Sequence, residues 1–341
     1  MSATQQPLAW FDGQLATELV DLRHDVAGLA EGGWWALCVD FDGAVTAARF
    51  GRVQAAGLPP ATASWAPLRG PWRTSLDQPS YEAAVSEVRR RIGDGEVYQV
   101  NVCRVLEHAL DDEADLIALA ALTTAHNPAP YAGVIQLPGV DVVCASPELF
   151  VSRSGGVVTT GPIKGTAPTG PELRPKDVDE NVMIVDLARN DLSLVCEPGS
   201  VTVPSLLSLE HHPGLVHLVS TVRGRLLPGV GWVELLAALM PPASVTGAPK
   251  STALQAIHDL EPVARGPYCG VLGWVDADAG TAALAVGIRT FWAARDDVGR
   301  RVLRFGTGAG ITWGSDPVGE WNETELKAHR LIGLASGTLA P

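Results

Sequence analysis

The stretch SYEAAVSEVRRRIGDGEVYQVNVCRVL, Ser80 to Leu106, holds the change of period that decides the fold class. Tyr81, Ala84, Val85, Val88 and Ile92 recur at helical spacing, with Ser80 as N-cap and Gly93 as stop. From Glu96 the period drops to two. Tyr98, Val100 and Val102 then share one face, and Gln99, Asn101 and Cys103 share the other, more polar face, which suits the lining of a cavity. A helix of about three turns followed by a long half-polar strand is one unit of a mixed fold.

Outward from this stretch the same alternation continues irregularly. A helical pattern over about Glu113 to Ala125 leads through NPAPY to strand patterns at AGVIQL and DVVCAS. The irregular order predicts α+β packing over antiparallel sheet rather than repeated βαβ units. Residues 1–75 carry a strand pattern at WWALCVDF and a loop at AAGLPPATASWAPLRGPW, and read as an N-terminal segment completing the sheet of a domain spanning 76–341.

Composition limits the function classes. The 341 residues are 46% hydrophobic and 18% charged, ample for a large core. A net charge of -13 gives no basic footprint for nucleic acid, and VRRR at Val88 to Arg91 is the longest basic run. Five scattered cysteines without a C-x-x-C pair predict reduced, buried thiols and a cytoplasmic setting. The start MSATQQPLAWFDGQ has no signal-like apolar stretch, and no apolar run reaches the ~18 residues that span a bilayer.

Several motifs bear chemistry. In RPKDVDENVMIVDLARND, Asp177 and Glu180 lie three apart on a helical pattern; in GSDPVGEWNETELKAHRLI, Glu320 and Glu323 do the same, with Lys327 a turn further on. Such faces are ordinarily just solvated, but pairs of oxygen ligands also suit Mg²⁺. SVTGAPKSTALQAI places Lys250 after Pro249 at a helix start, where free N–H groups favour anions. FGTGAGI has Gly306, Gly308 and Gly310 alternating in a strand and turn, without the βαβ setting of a dinucleotide site. His217, in GLVHLVSTVRG, has the surroundings of a core histidine. Glu148 in SPELF follows a buried strand, where a raised pKa fits a general acid. Lys164 stands alone among Gly, Pro, Ala and Thr in the apparent turn TTGPIKGTAPTG, Thr159 to Gly170.

Taken in order, YQVN, SPELF, GPIKGT, ENVMIVDLARNDL, HLVSTVRG, SVTGAPK, YCGVLGW, GIRT and GTGAGI…SDPVGEWNETELKA resemble the chorismate-utilising enzymes from about Ser80 to Leu334. The resemblance implies an anthranilate synthase component I-like fold, with two facing, mostly antiparallel sheets flanked by helices. It implies Mg²⁺ held by Glu180 and Glu323 with Asp177 and Glu320 close by. It places Thr166, Tyr268, Arg289, Gly308, Ala309, Gly310, Lys327 and Lys250 at the substrate, and Glu148, Lys164, His217 and Gln99 among the catalytic groups. Departures fall at Pro242–Ala243, Ser193–Leu194 and Trp313–Gly314, and no LLES-like tryptophan-binding stretch is found, which leaves tryptophan feedback and some loop geometry open.

Two positions select the reaction within this resemblance. Water-adding members carry lysine where Gln99 stands; an amide is a poor base, and ammonia needs none. Members aminating at C2 read PIAGT where this chain reads PIKGT, the pattern of many 4-aminating members. The expected activity is therefore that of aminodeoxychorismate synthase component I, feeding p-aminobenzoate and folate synthesis. No Cys-His glutaminase pattern is seen, so the expected ammonia source is a glutamine amidotransferase partner. Alternative readings are anthranilate synthase component I, a catalytically silent chorismate-binding paralogue and a metal-carboxylate hydrolase.

Overall fold

The computed structural model describes residues 6–167, 175–212 and 215–339, with the side chains of residues 166–167, 175–177, 211–212 and 215 also left aside. Among the described residues the order is β1 (Leu8–Phe11), β2 (Gln14–Arg23), β3 (Trp34–Val39), β4 (Val45–Ala55), β5 (Arg73–Thr74), α1 (Gln78–Gly93), β6 (Gln99–Ala109), α2 (Leu116–His126), β7 (Tyr131–Leu137), β8 (Val140–Ser146), β9 (Leu149–Ser154), β10 (Val157–Gly161), β11 (Ile163–Ala167), α3 (Pro175–Ser193), β12 (Thr202–His212) and β13 (Leu215–Arg225). Then come α4 (Trp232–Leu239), β14 (Gly247–Ala248), α5 (Lys250–Leu260), β15 (Val271–Asp276), β16 (Thr281–Val286), β17 (Thr290–Arg295), β18 (Arg301–Ile311) and α6 (Pro317–Ser336).

The strand pairings are antiparallel and diverge from β4 into two wings. One runs β4-β2-β1-β7-β8-β17-β18-β6, with β5 and β14 pairing with β6. The other runs β4-β3-β15-β16-β9-β10-β13, with β11 and β12 also on β13. The chain crosses between wings at Pro147–Glu148, from β8 to β9, and again at Gly287–Arg289, from β16 to β17. The N-terminal strands thus join both wings. Helices α1, α2, α5 and α6 pack on the first wing, and α3 on the second.

The period change at Ser80–Leu106 takes shape as α1 and β6. The helix begins three residues earlier than expected, because Asp77 rather than Ser80 caps it: its carboxylate accepts from the Ser80 amide at 3.0 Å. Tyr81, Ala84, Val85 and Val88 are buried as the spacing requires, and the Tyr81 hydroxyl donates to the Val102 carbonyl at 3.0 Å, tying helix to strand. On β6, Val100 and Val102 are buried on one face and Gln99, Asn101 and Cys103 on the other, so this strand lies between two packed layers. Tyr98, just ahead of it, is 72% exposed.

Two segments differ from expectation. The FGTGAGI stretch contains no turn; it completes β18, where a Cβ on Gly306 would overlap the Tyr268 ring and one on Gly308 would lie 2.6 Å from Cys103 Sγ. Its glycines serve close packing. The apparent turn around Lys164 is also strand: Pro162 separates β10 from β11, and the pairing of β11 with β13 shifts register between Ile163 and Thr166, with Gly165 at φ +90°. Bulges of this kind re-aim a side chain.

The buried apolar residues form one large cluster, including Trp35, Tyr81, Val100, Val271 and Leu284, and a smaller one around Phe291 and Phe305 beneath α2 and α6. All five cysteines are free and buried. Among the described residues no helix is long and apolar enough to cross a membrane.

Candidate active site

Functional side chains of the two wings meet between them. A Cβ built on Gly310 of β18 would overlap the Gln99 amide nitrogen from β6 and stand 2.9 Å from Lys164 Nζ of β11. Three residues far apart in sequence therefore meet at one point between the wings. Gln99 is 1% exposed, and its Oε1 is buried without a hydrogen-bond partner. An orphaned buried acceptor of this kind is costly unless a ligand or water donates to it.

Glu148 stands at the first crossing and is 4% exposed. Burial pushes its pKa up to about 7, against the opposing effects of a hydrogen bond from Ser244, the Lys164 charge, the Ile163 amide and the Lys327 charge. The acid thus faces two lysines and still retains its proton near neutrality. Ser244 belongs to the 3-10 turn Ala243–Val245, and was not singled out in the sequence despite its place in the SVTGAPK motif. That turn is fixed by Arg265, whose guanidinium donates to the Val245 and Asn101 carbonyls at 2.8 and 2.7 Å. Arg265 also pairs with buried Glu261 at 2.6 Å, and Glu261 accepts from the Cys103 amide at 2.8 Å. One buried ion pair therefore holds the Ser244 turn against the strand that carries Gln99.

Anion-binding groups lie along β18. The Asn101 and Cys103 amides donate to Thr246 and Glu261, away from β18. Their partners Gly310 and Gly308 are thus in non-hydrogen-bonded pairs and also turn their N–H groups away from β6. Pairing with β17 stops at Phe305, so these two amides face an edge without a strand, whereas that of Ala309 faces β6. Lys327 Nζ donates to the Gly308 carbonyl at 2.9 Å and pairs with Glu323 at 2.8 Å. Arg289 stands at the second crossing with φ +53°; burial lowers its pKa, opposed by neighbouring Tyr268. A desolvated guanidinium beside a phenol suits a carboxylate ligand. Tyr268 is itself 4% exposed, its hydroxyl 3.9 Å from Cys103 Sγ.

The remaining predicted residues are more dispersed. His217 is buried on β13 and is paired in register with Thr166. The side chains of Thr166 and Asp177 lie outside the described residues. Glu180 is half-buried on α3. Glu320, 4% exposed, and Glu323 lie on α6, and both raise the pKa of Tyr81 further beyond what burial does. Among the described residues no three His, Cys, Asp or Glu side chains form a ready metal cage. Lys250 is engaged with Asp191 at 3.0 Å and with the Leu239 carbonyl, so its amine is not turned to the Lys164–Gln99 meeting point. Asp191, Leu239, Ser244 and Glu148 line a cavity of about 40 Å³, room for a small molecule such as water or ammonia but not for a ring substrate.

Residues 42–333 match the family model for a chorismate binding enzyme. Over 269 residues the chain is 36% identical to anthranilate synthase component 1 of Saccharolobus solfataricus, covering 75% of this chain and 62% of that protein. Over 275 residues it is 41% identical to aminodeoxychorismate synthase of Streptomyces pristinaespiralis, covering 76% of this chain and 37% of that one. The match thus spans less than two thirds of the length of these relatives, 62% of the first and 37% of the second. Its fold is similar to the crystal structure of anthranilate synthase component I from Streptococcus pneumoniae, with a TM-score of 0.78 at 23% identity over 96% of this chain and 90% of the other. With the family model spanning most of its length, the chain belongs to the chorismate-binding enzymes.

Proposed function

We propose that this protein is the chorismate-aminating component of an aminodeoxychorismate synthase, converting chorismate and ammonia to 4-amino-4-deoxychorismate. The observation that carries this reading is the meeting of Lys164 Nζ with Gln99 and Gly310, together with the buried Glu148, whose pKa burial raises to about 7. Glu148 is poised to give its proton to the departing 4-hydroxyl, and Lys164 is poised as the nucleophile.

In the first step the neutral Lys164 amine bonds to ring C2, the ring double bond shifts, and the C4–O bond breaks. The hydroxyl leaves as water with the Glu148 proton. Ammonia then bonds to C4, the double bond shifts back, the C2–N bond to Lys164 breaks to release the neutral amine, and a proton from the new C4 ammonium returns to Glu148. Gln99 offers an amide at this point, which can hydrogen-bond but not serve as a base, and this favours ammonia over water as the incoming group. Arg289 and the outward amides of Gly308 and Gly310 suit the enolpyruvyl carboxylate.

Glu180, Glu320 and Glu323, with Asp177, would hold Mg²⁺. Their all-oxygen donor set and the burial of Glu320 fit a hard cation completed by water and substrate oxygens. Bound there, the ion would neutralise the ring carboxylate. Glutamine nitrogen would reach this chain as ammonia from a separate amidotransferase, in a pathway to p-aminobenzoate and folate. The relatives' names divide between anthranilate and aminodeoxychorismate synthases, and Lys164 favours the second.

The test is intact-protein mass spectrometry after mixing enzyme, Mg²⁺ and chorismate without ammonia. The expected result is an adduct of chorismate less water, absent in Lys164→Ala. An active Lys164→Arg variant without adduct would reduce the lysine to an electrostatic role.

A further inference from the structure

Asn181 is a polar residue in the apolar phase of α3, sharing its buried stripe with Ile184, Val185 and Leu192. It is 1% exposed and fully engaged. Its Nδ2 donates to the Leu218 carbonyl at 2.8 Å and to the Lys164 carbonyl at 3.3 Å. Its Oδ1 accepts from the Ser220 hydroxyl at 2.6 Å, and Ser220 Oγ in turn accepts from the Leu207 amide at 3.0 Å. One helix side chain thus binds β11 and β13 directly, and β12 through Ser220.

The place where it binds β11 is the bulge. Between Ile163 and Thr166 the ladder with β13 loses register, and Gly165 is left-handed. The Lys164 carbonyl therefore lies where regular strand pairing does not hold it, and the Asn181 amide supplies a donor there instead. A bulge sets side-chain direction, so whatever fixes it fixes the aim of Lys164 Nζ towards Gly310 and Gln99. Asn181 is also the residue after Glu180, so the helix that offers the acid carries the tie to the lysine strand at the next position.

We infer that Asn181, oriented by Ser220, is a positioning residue that holds the β11 bulge so that Lys164 points at the reacting ring. The inference rests on the proposed role of Lys164 and deepens it. The site residue acts through the lysine's backbone and does not touch substrate.

The experiment is a double-mutant cycle on the full chain with ammonium, Mg²⁺ and chorismate, reading kcat and KM for 4-amination alongside the melting temperature. Asn181→Asp keeps the shape and the bond from Ser220 but loses both donations to carbonyls. It is expected to lower kcat by at least ~10-fold, the scale for a misplaced reactive group, with KM for chorismate within about twofold. In the Lys164→Ala background the same change should cost no more than about twofold. Independent, multiplicative losses would overturn the inference and make Asn181 a merely structural residue. Wild-type 4-amination by Lys164→Ala alone would instead overturn the underlying reading of the lysine. If Asn181→Asp does not melt cooperatively, Ser220→Ala, which leaves the amide in place but unoriented, decides: a loss of about threefold or more in kcat that disappears in the Lys164→Ala background supports the inference, and an unchanged kcat refutes it.

Discussion

Gly310→Ala adds one methyl group at the point where the two wings meet. The backbone there is ordinary extended strand, so alanine meets no conformational penalty. The cost is steric. The new Cβ would stand 2.9 Å from Lys164 Nζ. Against a normal heavy-atom contact of about 3.5 Å, the amine must retreat by roughly 0.6 Å. The Gln99 amide, which the methyl would overlap, must move further, and at 1% exposure it has little room. A displacement approaching 1 Å can cost a reactive group on the order of 10²-fold, so kcat for amination should fall by ~10- to 100-fold. Overpacking should cost about 1–3 kcal/mol of stability, leaving the protein folded. Gly156→Ala, whose Cβ has no atom within 4 Å, is the control and should change neither quantity. Steady-state amination and thermal melting measure both. A folded Gly310→Ala with wild-type kcat would refute the convergence of Lys164 and Gln99 on this glycine.

Two further outcomes are expected. Burial raises Glu148 to about 7, so its acid form persists below that pH and is lost as pH rises through it. At saturating chorismate and constant free ammonia, the slope of log kcat against pH should therefore decrease near pH 7, and Glu148→Gln should lose most of the activity together with this bend; a profile without a change of slope between pH 6 and 8.5 would contradict the assignment. For the metal, EDTA should abolish turnover and Mg²⁺ restore it, while Glu180→Gln and Glu323→Gln should raise the Mg²⁺ needed for half-activity by ~10-fold or more. Unchanged Mg²⁺ dependence in both variants would remove these acids from the metal site.

The parts of the fold legible in the sequence were those governed by local period. Tyr81 to Val88 gave the buried stripe of α1, and the alternation from Glu96 gave β6. The N-terminal strands were harder to read because β2 breaks its own alternation. Its register against β4 shifts between Leu19 and Asp21, Glu18 adopts φ +64°, and Val20 is left 58% exposed. The loop rich in Pro and Ala was readable as a loop but not in its anchoring, since Trp65 and Trp72 donate to Ala335 and Ser336 of α6, far along the chain. At the site, the family motifs gave the chemical groups. The bulge at Lys164 resembled a turn because Gly and Pro mark both. Asn181 had a signal that was passed over, a lone amide at the phase of an apolar stripe. Ser244 lay within the quoted SVTGAPK motif, but its bond to Glu148 depends on a chain crossing that no local pattern encodes.

The most direct measurement of the central claim is the identity of the product. Pure protein incubated with chorismate, Mg²⁺ and an ammonium salt at mildly alkaline pH, and analysed by mass and ultraviolet spectrum, should yield 4-amino-4-deoxychorismate, a non-aromatic amine that retains the enolpyruvyl group. Fluorescent anthranilate as the main product, or isochorismate formed without ammonia, would contradict it.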